Sequence, residues 1–164
     1  MTDYELTQLS ARVGERLLAR QATVTTAESC TGGWIAKVLT DVAGSSAWFQ
    51  RGFVTYSNDA KQQMTGVTEA SLMQFGAVSE QVVEEMAQGA LREAGAQYAI
   101  SVSGIAGPDG GSDGKPVGTV WFGFASASGE VLTLVQRFSG DRDAVRRQAT
   151  AWALQTLHDH FLKN

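Results

Sequence analysis

The sequence predicts an α/β fold in which helices cover both faces of a mixed sheet of about five strands. Two observations support this fold class. Helix-like and strand-like patterns alternate up to a buried, strand-like run over residues 98–103, as in parallel sheets with helical connections. Two further strand-like runs follow, joined through Ser128 and Gly129, and this indicates an antiparallel pair.

The helices are predicted from apolar residues at helical spacing and from polar residues that can cap a helix start. The predicted helices cover residues 4–20, 34–41, a segment carrying Lys61, 68–75, 79–94 and a last segment capped by Asp141. The predicted strands cover residues 22–27, 48–56, 98–103, 117–125 and 131–138. No repeat or linker interrupts this series, so we expect one domain over residues 1–164.

Composition and charge exclude several classes of protein. The chain has 164 residues, of which 43% are hydrophobic and 18% charged, as expected for a globular protein with a full core. The net charge of −4 argues against a nucleic-acid-binding surface, which is usually basic. The N-terminal residues lack the pattern of a signal peptide, and no apolar run is long enough to span a bilayer. We therefore expect a cytoplasmic protein without a membrane partner.

The segment Thr25 to Gly33 is dense in small polar residues and ends in two glycines. It lies between a predicted strand and a predicted helix. Such a junction can form a polar pocket, because glycine allows close approach of a ligand and backbone N–H groups are available. A plain capped turn is the alternative interpretation. We expect Ser29, Thr31, Gly32 and Gly33 to line a ligand pocket.

Several catalytic chemistries are excluded by the residues that the chain lacks. The only histidines, His158 and His160, lie near the C-terminus and are expected to face solvent, so a Ser-His-Asp triad and a histidine zinc site are not supported. Cys30 is the only cysteine, which excludes an internal disulfide and a cysteine-rich zinc site. We interpret Cys30 as a buried or pocket-lining thiol rather than a nucleophile.

A serine, a tyrosine and a lysine remain as candidates for catalysis. Ser46 precedes the second predicted strand, Tyr56 ends it, and Lys61 lies early in the next helix. A lysine whose pKa is lowered by burial can deprotonate a serine, while a tyrosine relays or orients the proton. Ordinary surface roles for all three are the alternative. The nucleophile can be Ser46 or Ser29, and the short chain from Gly44 to Lys61 favours Ser46.

A second group of polar residues follows the buried strand over residues 98–103. If this strand runs parallel beside the strand before Ser29, Ser103 and Gly104 lie at the same edge of the sheet as that serine. The glycine-rich loop over residues 104–116 is long for a simple connection, and such loops are often functional. Three arginines of the last helix, Arg142, Arg146 and Arg147, are candidates for binding a phosphate, and Arg142 is favoured because it is nearest to the strand end.

Five segments of the sequence resemble the CinA C-terminal-domain family. They are residues 27–33 (AESCTGG), 52–58 with Lys61, 76–79 (GAVS), 103–108 (SGIAGP) and 118–120 (GTV). The resemblance implies a three-layer α/β/α sandwich, a homo-oligomer of two or more copies, and a serine amidohydrolase that needs no metal or cofactor. The implied reaction converts nicotinamide mononucleotide to nicotinate mononucleotide and ammonia in pyridine-nucleotide salvage.

The resemblance also implies the residues of the site. The implied catalytic residues are Ser46, Tyr56 and Lys61, with Ser29 as the other candidate nucleophile. The implied binding residues are Thr31, Gly32, Ser103 and Gly104, with an arginine of the 142–147 stretch near the phosphate.

Two other functions are compatible with parts of the sequence. The first is a regulatory module of the same fold that binds a nucleotide without chemistry, and ammonia release would distinguish it from an amidase. The second is a dehydrogenase of the short-chain type, which also uses Ser, Tyr and Lys. In those enzymes Tyr and Lys are four residues apart on one helix, whereas Tyr56 and Lys61 are five apart across a strand–helix junction. The chain also lacks a Gly-x-Gly dinucleotide fingerprint.

Overall fold

The computed structural model describes residues 1–163 and contains a five-stranded sheet with helices on both faces. The helices are α1 (Asp3–Ala19), α2 (Trp34–Thr40), α3 (Asn58–Thr65), α4 (Glu69–Phe75), α5 (Glu80–Ala94) and α6 (Arg142–Thr156), which continues as a π-helical segment over Leu157–Leu162. The strands are β1 (Val24–Glu28), β2 (Phe53–Val54), β3 (Tyr98–Gly104), β4 (Thr119–Ser126) and β5 (Val131–Arg137). Within the described residues no helix is long and apolar enough to cross a membrane.

The strand order is β2-β1-β3-β4-β5. Strand β1 pairs in parallel with β2 and with β3, whereas β4 pairs antiparallel with β3 and β5. The predicted mixed sheet is therefore confirmed. The parallel part carries the helical connections, and the antiparallel part is the predicted hairpin.

One predicted strand, over residues 48–56, is much shorter in the structure. Only Phe53–Val54 pairs with β1, and Phe49 forms an isolated bridge with Val24. Between them the Arg51 carbonyl accepts a hydrogen bond of 2.8 Å from the Thr25 hydroxyl instead of a backbone N–H. A side-chain hydrogen bond from Thr25 thus takes the place of the backbone hydrogen bonds of a regular strand pair. The pattern of apolar residues gives no signal for this change.

Each face of the sheet packs against its own layer of helices. Helices α1, α2 and α6 bury their apolar faces on one side, where Phe122 of β4 lies 4.6 Å from Trp152 between ring centres. Helix α5 packs on the other side through Val82, Val83 and Met86, which are fully buried. Alternate residues of the buried strands contribute to the two layers, as the period of a strand requires.

Helix α3 is held against α5 by a contact between backbones. A Cβ atom on Gly89 of α5 would lie only 1.6 Å from the carbonyl oxygen of Thr65 in α3, so no larger residue fits without displacing a helix. The Thr65 hydroxyl donates to the carbonyl of Lys61 at 2.7 Å. The close approach of the two helices therefore fixes the depth of Lys61 in the protein.

Candidate active site

The candidate site lies at the edge of the sheet where the parallel strands β1 and β3 end. Ser29 follows β1 directly, and its N–H donates to the carbonyl of Val102 in β3 at 2.9 Å. A cavity of about 280 Å³ opens at this edge and is lined by Ser29, Cys30, Tyr56, residues 104–107, Asp109, Gly110 and Arg142. Ligands of open α/β sheets bind outside the carboxyl ends of parallel strands, which is the position of this cavity.

The central feature of the site is a contact between Lys61 and Ser29. The Lys61 Nζ atom lies 3.2 Å from Ser29 Oγ and donates to the Thr55 carbonyl at 3.1 Å. Lys61 is 2% exposed and Ser29 is 9% exposed. Burial lowers the pKa of Lys61, because removal from water disfavours the charged ammonium. The neutral amine that burial favours has a lone pair available for the serine proton.

Local sequence explains how a lysine becomes buried at this place. The Ser57 hydroxyl caps α3 by accepting from the Ala60 N–H at 3.0 Å, so the helix begins at Asn58 and Lys61 lies in its first turn. The side chain then extends from the helix start toward the end of β1. Within residues 1–163 no carboxylate forms an ion pair with Lys61. The ammonium therefore has no opposite charge in contact that would offset its desolvation.

The loop after Ser29 is held by the buried carboxylate of Glu28. This carboxylate accepts hydrogen bonds from the Thr31 hydroxyl at 2.6 Å and from the N–H groups of Ile35 and Ala36, each at 2.9 Å. It thus serves as the cap of α2, whose N-cap residue Gly33 has no side chain. Burial raises the pKa of Glu28, while these hydrogen bonds oppose the rise. The glutamate is the element that shapes the turn around Ser29.

The two glycines of this loop have backbone conformations that favour glycine. Gly32 and Gly33 have φ angles of +57° and +98°, in the left-handed region. Gly32 is exposed, and its N–H donates to the Ser29 carbonyl at 3.0 Å, which closes a tight turn. The strand thereby reverses into α2 immediately after the serine.

Tyr56 and Arg142 meet at the mouth of the cavity. One Arg142 nitrogen, Nη2, donates to the Tyr56 hydroxyl at 2.9 Å, and the other, Nη1, donates to the Gly107 carbonyl at 2.8 Å. Tyr56 is 59% exposed, so its ring lies at the entrance rather than in the core. Asp141 caps α6 through the N–H of Ala144, as the sequence predicts, and this cap places Arg142 at the cavity.

The thiol of Cys30 is unsuited to nucleophilic attack at neutral pH. Burial, and to a lesser degree the charge of Glu28, raises the pKa of Cys30 to about 12. The thiolate is the reactive form of cysteine, and it is scarce at such a pKa. Cys30 is buried and lines the cavity, in agreement with the interpretation from sequence.

The structure does not bring Ser46 together with Lys61. Ser46 is exposed in a short 3-10 turn (Ser45–Ala47). Two residues later, the Trp48 carbonyl accepts a hydrogen bond from the N–H of Val24. Val24 begins β1, whereas Ser29 follows its end. The argument that a short chain from Gly44 to Lys61 places Ser46 beside the lysine therefore does not hold, because that chain runs along the whole length of β1.

The remaining predicted residues lie around the loop after Ser29 in different ways. Gly104 lines the cavity with Ser29. Thr31 is fully buried and bonded to Glu28, so its side chain supports the loop. Ser103 is 1% exposed and lies one residue before Gly104 at the end of β3.

Three contacts of the site are not predicted by the sequence pattern. The Thr55 carbonyl that holds Lys61 carries no sequence signal, since every residue has a carbonyl. Glu28 was noticed only as part of a polar cluster. Arg146 is a candidate from sequence only for binding phosphate. In the structure its Nε donates to the Cys30 carbonyl at 3.0 Å, and its position one helical turn after Arg142, on the same face of α6, is a usable signal for such a contact.

Comparison with known proteins agrees with this fold and site. The family model for the CinA C-terminal domain matches residues 6–161, and the chain therefore belongs to the CinA C-terminal domain family. It is 73% identical over 164 residues to nicotinamide-nucleotide amidohydrolase PncC of Escherichia coli strain K12, covering 100% of this chain and 99% of that protein. It is 54% identical to the PncC of Pseudomonas putida over 152 residues, covering 93% and 94%.

Solved structures show the same architecture. The competence/damage inducible protein CihA from Agrobacterium tumefaciens superposes with a TM-score of 0.92 at 45% identity, over 96% of this chain and 94% of that one. A competence damage-inducible protein A from Klebsiella pneumoniae superposes with a TM-score of 0.91 at 43% identity, over 94% and 96%. The α/β sandwich that the sequence resemblance implies is confirmed.

Proposed function

We propose that this chain is an amidohydrolase that converts nicotinamide mononucleotide to nicotinate mononucleotide and ammonia. Two independent lines support the proposal. Relatives at 54% to 73% identity over most or all of the chain are named nicotinamide-nucleotide amidohydrolases. The observation that carries the chemistry is the 3.2 Å contact between a buried, counter-ion-free Lys61 amine and Ser29 Oγ at the cavity.

In the proposed first step Ser29 is the nucleophile and Lys61 is the base. The neutral Lys61 amine takes the Ser29 proton as Oγ attacks the carboxamide carbon, and the carbonyl oxygen becomes an oxyanion. When the intermediate collapses, the carbon–nitrogen bond breaks and the leaving nitrogen takes a proton from the Lys61 ammonium. Ammonia departs, and an ester between Ser29 and the nicotinate mononucleotide remains.

The second step hydrolyses this ester. Lys61, again neutral, accepts a proton from water as the water oxygen attacks the ester carbon. Collapse of the second intermediate returns the proton from Lys61 to Ser29 Oγ and releases nicotinate mononucleotide. Tyr56 lines the same cavity and is held by Arg142, so we assign it to orient or relay the proton at the leaving nitrogen.

The oxyanion needs a hydrogen-bond donor beside Ser29. Two candidate N–H groups at the site are already used, since Gly32 donates to the Ser29 carbonyl and Ile105 donates to the Thr119 carbonyl at 2.9 Å. We assign the role to the N–H of Thr31, two residues after the nucleophile. Within the described residues no hydrogen bond uses the Thr31 N–H, so this donor is available on the loop that carries the attacking group.

Arg142 is the proposed partner of the 5′-phosphate. It lines the cavity, and its contacts with Tyr56 and Gly107 occupy only two of its five N–H groups. A guanidinium matches phosphate oxygens in charge and geometry. The proposed chemistry needs no metal, and residues 1–163 contain no cluster of three or more His, Cys, Asp or Glu side chains placed to hold one.

Ammonia release by matched serine variants tests this function. The purified protein is supplied with nicotinamide mononucleotide, ammonia is measured in a coupled assay, and nicotinate mononucleotide is quantified by chromatography. We expect turnover by the parent and by Ser46→Ala, and none by Ser29→Ala. Turnover by Ser29→Ala but not by Ser46→Ala would transfer the nucleophile to Ser46. Binding of the nucleotide by the parent without ammonia release would instead identify a non-catalytic regulatory module.

A further inference from the structure

Arg146 binds the backbone of the loop that joins Ser29 to α2 (residues 29–33), here named the nucleophile loop, from the side of α6. Its Nε donates to the Cys30 carbonyl at 3.0 Å, and its Nη2 donates to the Thr31 carbonyl at 3.3 Å. These are the two residues that directly follow Ser29. Arginine forms such double contacts well, because its donors are fixed in one plane. A half-buried guanidinium thus fixes the orientation of two consecutive peptide groups.

The surroundings of Arg146 restrict where its guanidinium can lie. Its Cζ atom lies 5.7 Å from the ring centre of Trp34, the first residue of α2. On the other side, a Cβ atom on Gly32 would lie 3.2 Å from Nη2. The loop can approach Arg146 this closely because residue 32 has no side chain. Trp34 and Gly32 therefore hold the guanidinium against the loop.

The contact with Cys30 also sets the direction of an N–H group. The peptide between Cys30 and Thr31 is planar and trans, so its carbonyl and its N–H point in opposite directions. Since the Cys30 carbonyl points to Arg146, the Thr31 N–H points away from α6. Glu28 holds the same residue through the Thr31 hydroxyl. The peptide is thus prevented from rotating by a cation at its carbonyl and an anion at the next side chain.

We propose that Arg146 is a positioning residue for the amide hydrolysis, which orients the Cys30–Thr31 peptide so that the Thr31 N–H stabilises the oxyanion. This inference rests on the function proposed above. Arg146 does not touch the substrate in this scheme, and it acts only through the peptide. Its loss should therefore weaken binding of the tetrahedral intermediate more than binding of the planar amide substrate.

Arg147 offers a matched control for a variant of Arg146. It is the next residue of α6, its Cζ also lies close to the Trp34 ring, at 4.9 Å, and it bonds to Asp3 and the Met1 carbonyl rather than to the nucleophile loop. Arg146→Met and Arg147→Met remove the same charge from neighbouring positions. Loss of a complete oxyanion donor costs about 10²–10³-fold in kcat, so we expect Arg146→Met to lower kcat by about 10- to 100-fold. KM should change little, and Arg147→Met should match the parent.

A tetrahedral-adduct probe separates positioning from a general loss of structure. The aldehyde analogue of the substrate, pyridine-3-carboxaldehyde mononucleotide, can form a hemiacetal with Ser29 whose oxygen occupies the oxyanion position. We expect Arg146→Met to bind this analogue about 10- to 100-fold more weakly, in step with kcat, and to bind the product nicotinate mononucleotide as the parent does. Arg146→Lys, which keeps the charge but not the fork, should fall between the two.

The outcomes are distinct. Equal kcat and equal aldehyde affinity in Arg146→Met and Arg147→Met would overturn the role of Arg146, as would parallel weakening of aldehyde and product binding. If Arg146→Met does not fold, the same comparison is made with Arg146→Lys, and parent-like values there overturn the role. A parent protein that neither releases ammonia nor binds the aldehyde contradicts the proposed function itself, before any variant is compared.

Discussion

The molecule has two polar cavities of similar size at opposite ends of strand β3, and they differ in what lies beneath them. The cavity beside Gly104, at the end of β3, has a volume of about 280 Å³ and contains the Ser29 site. The cavity beside Tyr98, at the start of β3, has a volume of about 330 Å³. Each has an arginine that donates to a tyrosine hydroxyl, from Arg142 to Tyr56 at 2.9 Å and from Arg20 to Tyr98 at 3.2 Å.

The difference between the cavities is a buried amine. The cavity beside Gly104 contains Ser29, which contacts the buried Lys61, and one wall is a glycine-rich loop. The cavity beside Tyr98 is instead lined by exposed titratable groups such as His160 and Glu130, whose Nε2 and Oε2 atoms lie 2.7 Å apart. Volume, hydroxyl groups and an arginine–tyrosine pair are thus common to both. A desolvated base in contact with a hydroxyl is what gives one of them a chemical capability.

The largest expected effect comes from removing that base. We expect Lys61→Met to lower kcat by about 10²–10⁴-fold, the range for a positioned acid–base group. Lys37→Met is the matched control, because Lys37 is an exposed lysine of α2 paired with Asp41 at 2.9 Å. Steady-state ammonia release measures both variants. Parent-like kcat in a folded Lys61→Met protein would remove Lys61 from the mechanism.

A smaller effect is expected when the two arginine–tyrosine pairs are compared. Arg142→Ala should raise KM for nicotinamide mononucleotide by about 10- to 100-fold, since a charge-assisted hydrogen bond contributes about 1.5–3 kcal/mol. KM for the dephosphorylated riboside should change little, which narrows the preference between the two substrates. Arg20→Ala should leave both KM values unchanged. If Arg142→Ala keeps the parent's preference for the nucleotide, the phosphate binds elsewhere.

The smallest expected effect is a pH dependence of stability. The folded pKa of Lys61 is lowered from 10.5, so between the folded and unfolded pKa values the unfolded state binds more protons. The free energy of unfolding should therefore rise with pH across that window. The raised pKa of Cys30 acts in the opposite direction above 9.0, so the Lys61 contribution is clearest below that pH.

Urea unfolding at a series of pH values measures this contribution. In Lys61→Met the free energy of unfolding should no longer rise with pH over this window, whereas in Lys37→Met it should still rise. Asp41 raises the pKa of Lys37, so Lys37 changes the stability only above pH 10.5, outside that window. In the proposed mechanism the same protonation governs catalysis, since only neutral Lys61 can act as the base. For the parent, kcat/KM should rise with pH through the lowered pKa of Lys61. Identical stability slopes in the parent and Lys61→Met would contradict the buried-amine interpretation.

Local sequence signals predicted most of the fold. The caps at Ser57, Ser79 and Asp141, together with the apolar spacings, placed the helices within a few residues, and the family and fold class are confirmed. The polar residues before two glycines predict a pocket at the end of β1. Ser29 lines the cavity there, whereas Thr31, Gly32 and Gly33 line a separate cavity beside Arg146 and Trp34. Single-domain organisation, cytoplasmic location and oligomeric state stay predictions.

Distances across the sheet were the part that sequence could not supply. The preference for Ser46 used separation along the chain, but the segment after Ser46 crosses from the start of β1 to its end. Ser29 is farther from Lys61 in sequence and closer in space, because β1 and α3 meet at one edge of the sheet. The roles of the Thr55 and Arg51 carbonyls could not be predicted either, because every residue has the same backbone acceptor.

Gly89 gives this site a point of control that lies outside it. A methyl group on Gly89 would clash with the Thr65 carbonyl, so the absence of a side chain at this residue sets the distance between α3 and α5. Widening that gap would admit water along α3 and return the amine of Lys61 toward an ordinary, charged lysine. The pKa of the proposed base, Lys61, would then depend on the size of residue 89, which contacts neither the substrate nor Ser29. The spacing of α3 and α5 would thus set the reactivity of the site.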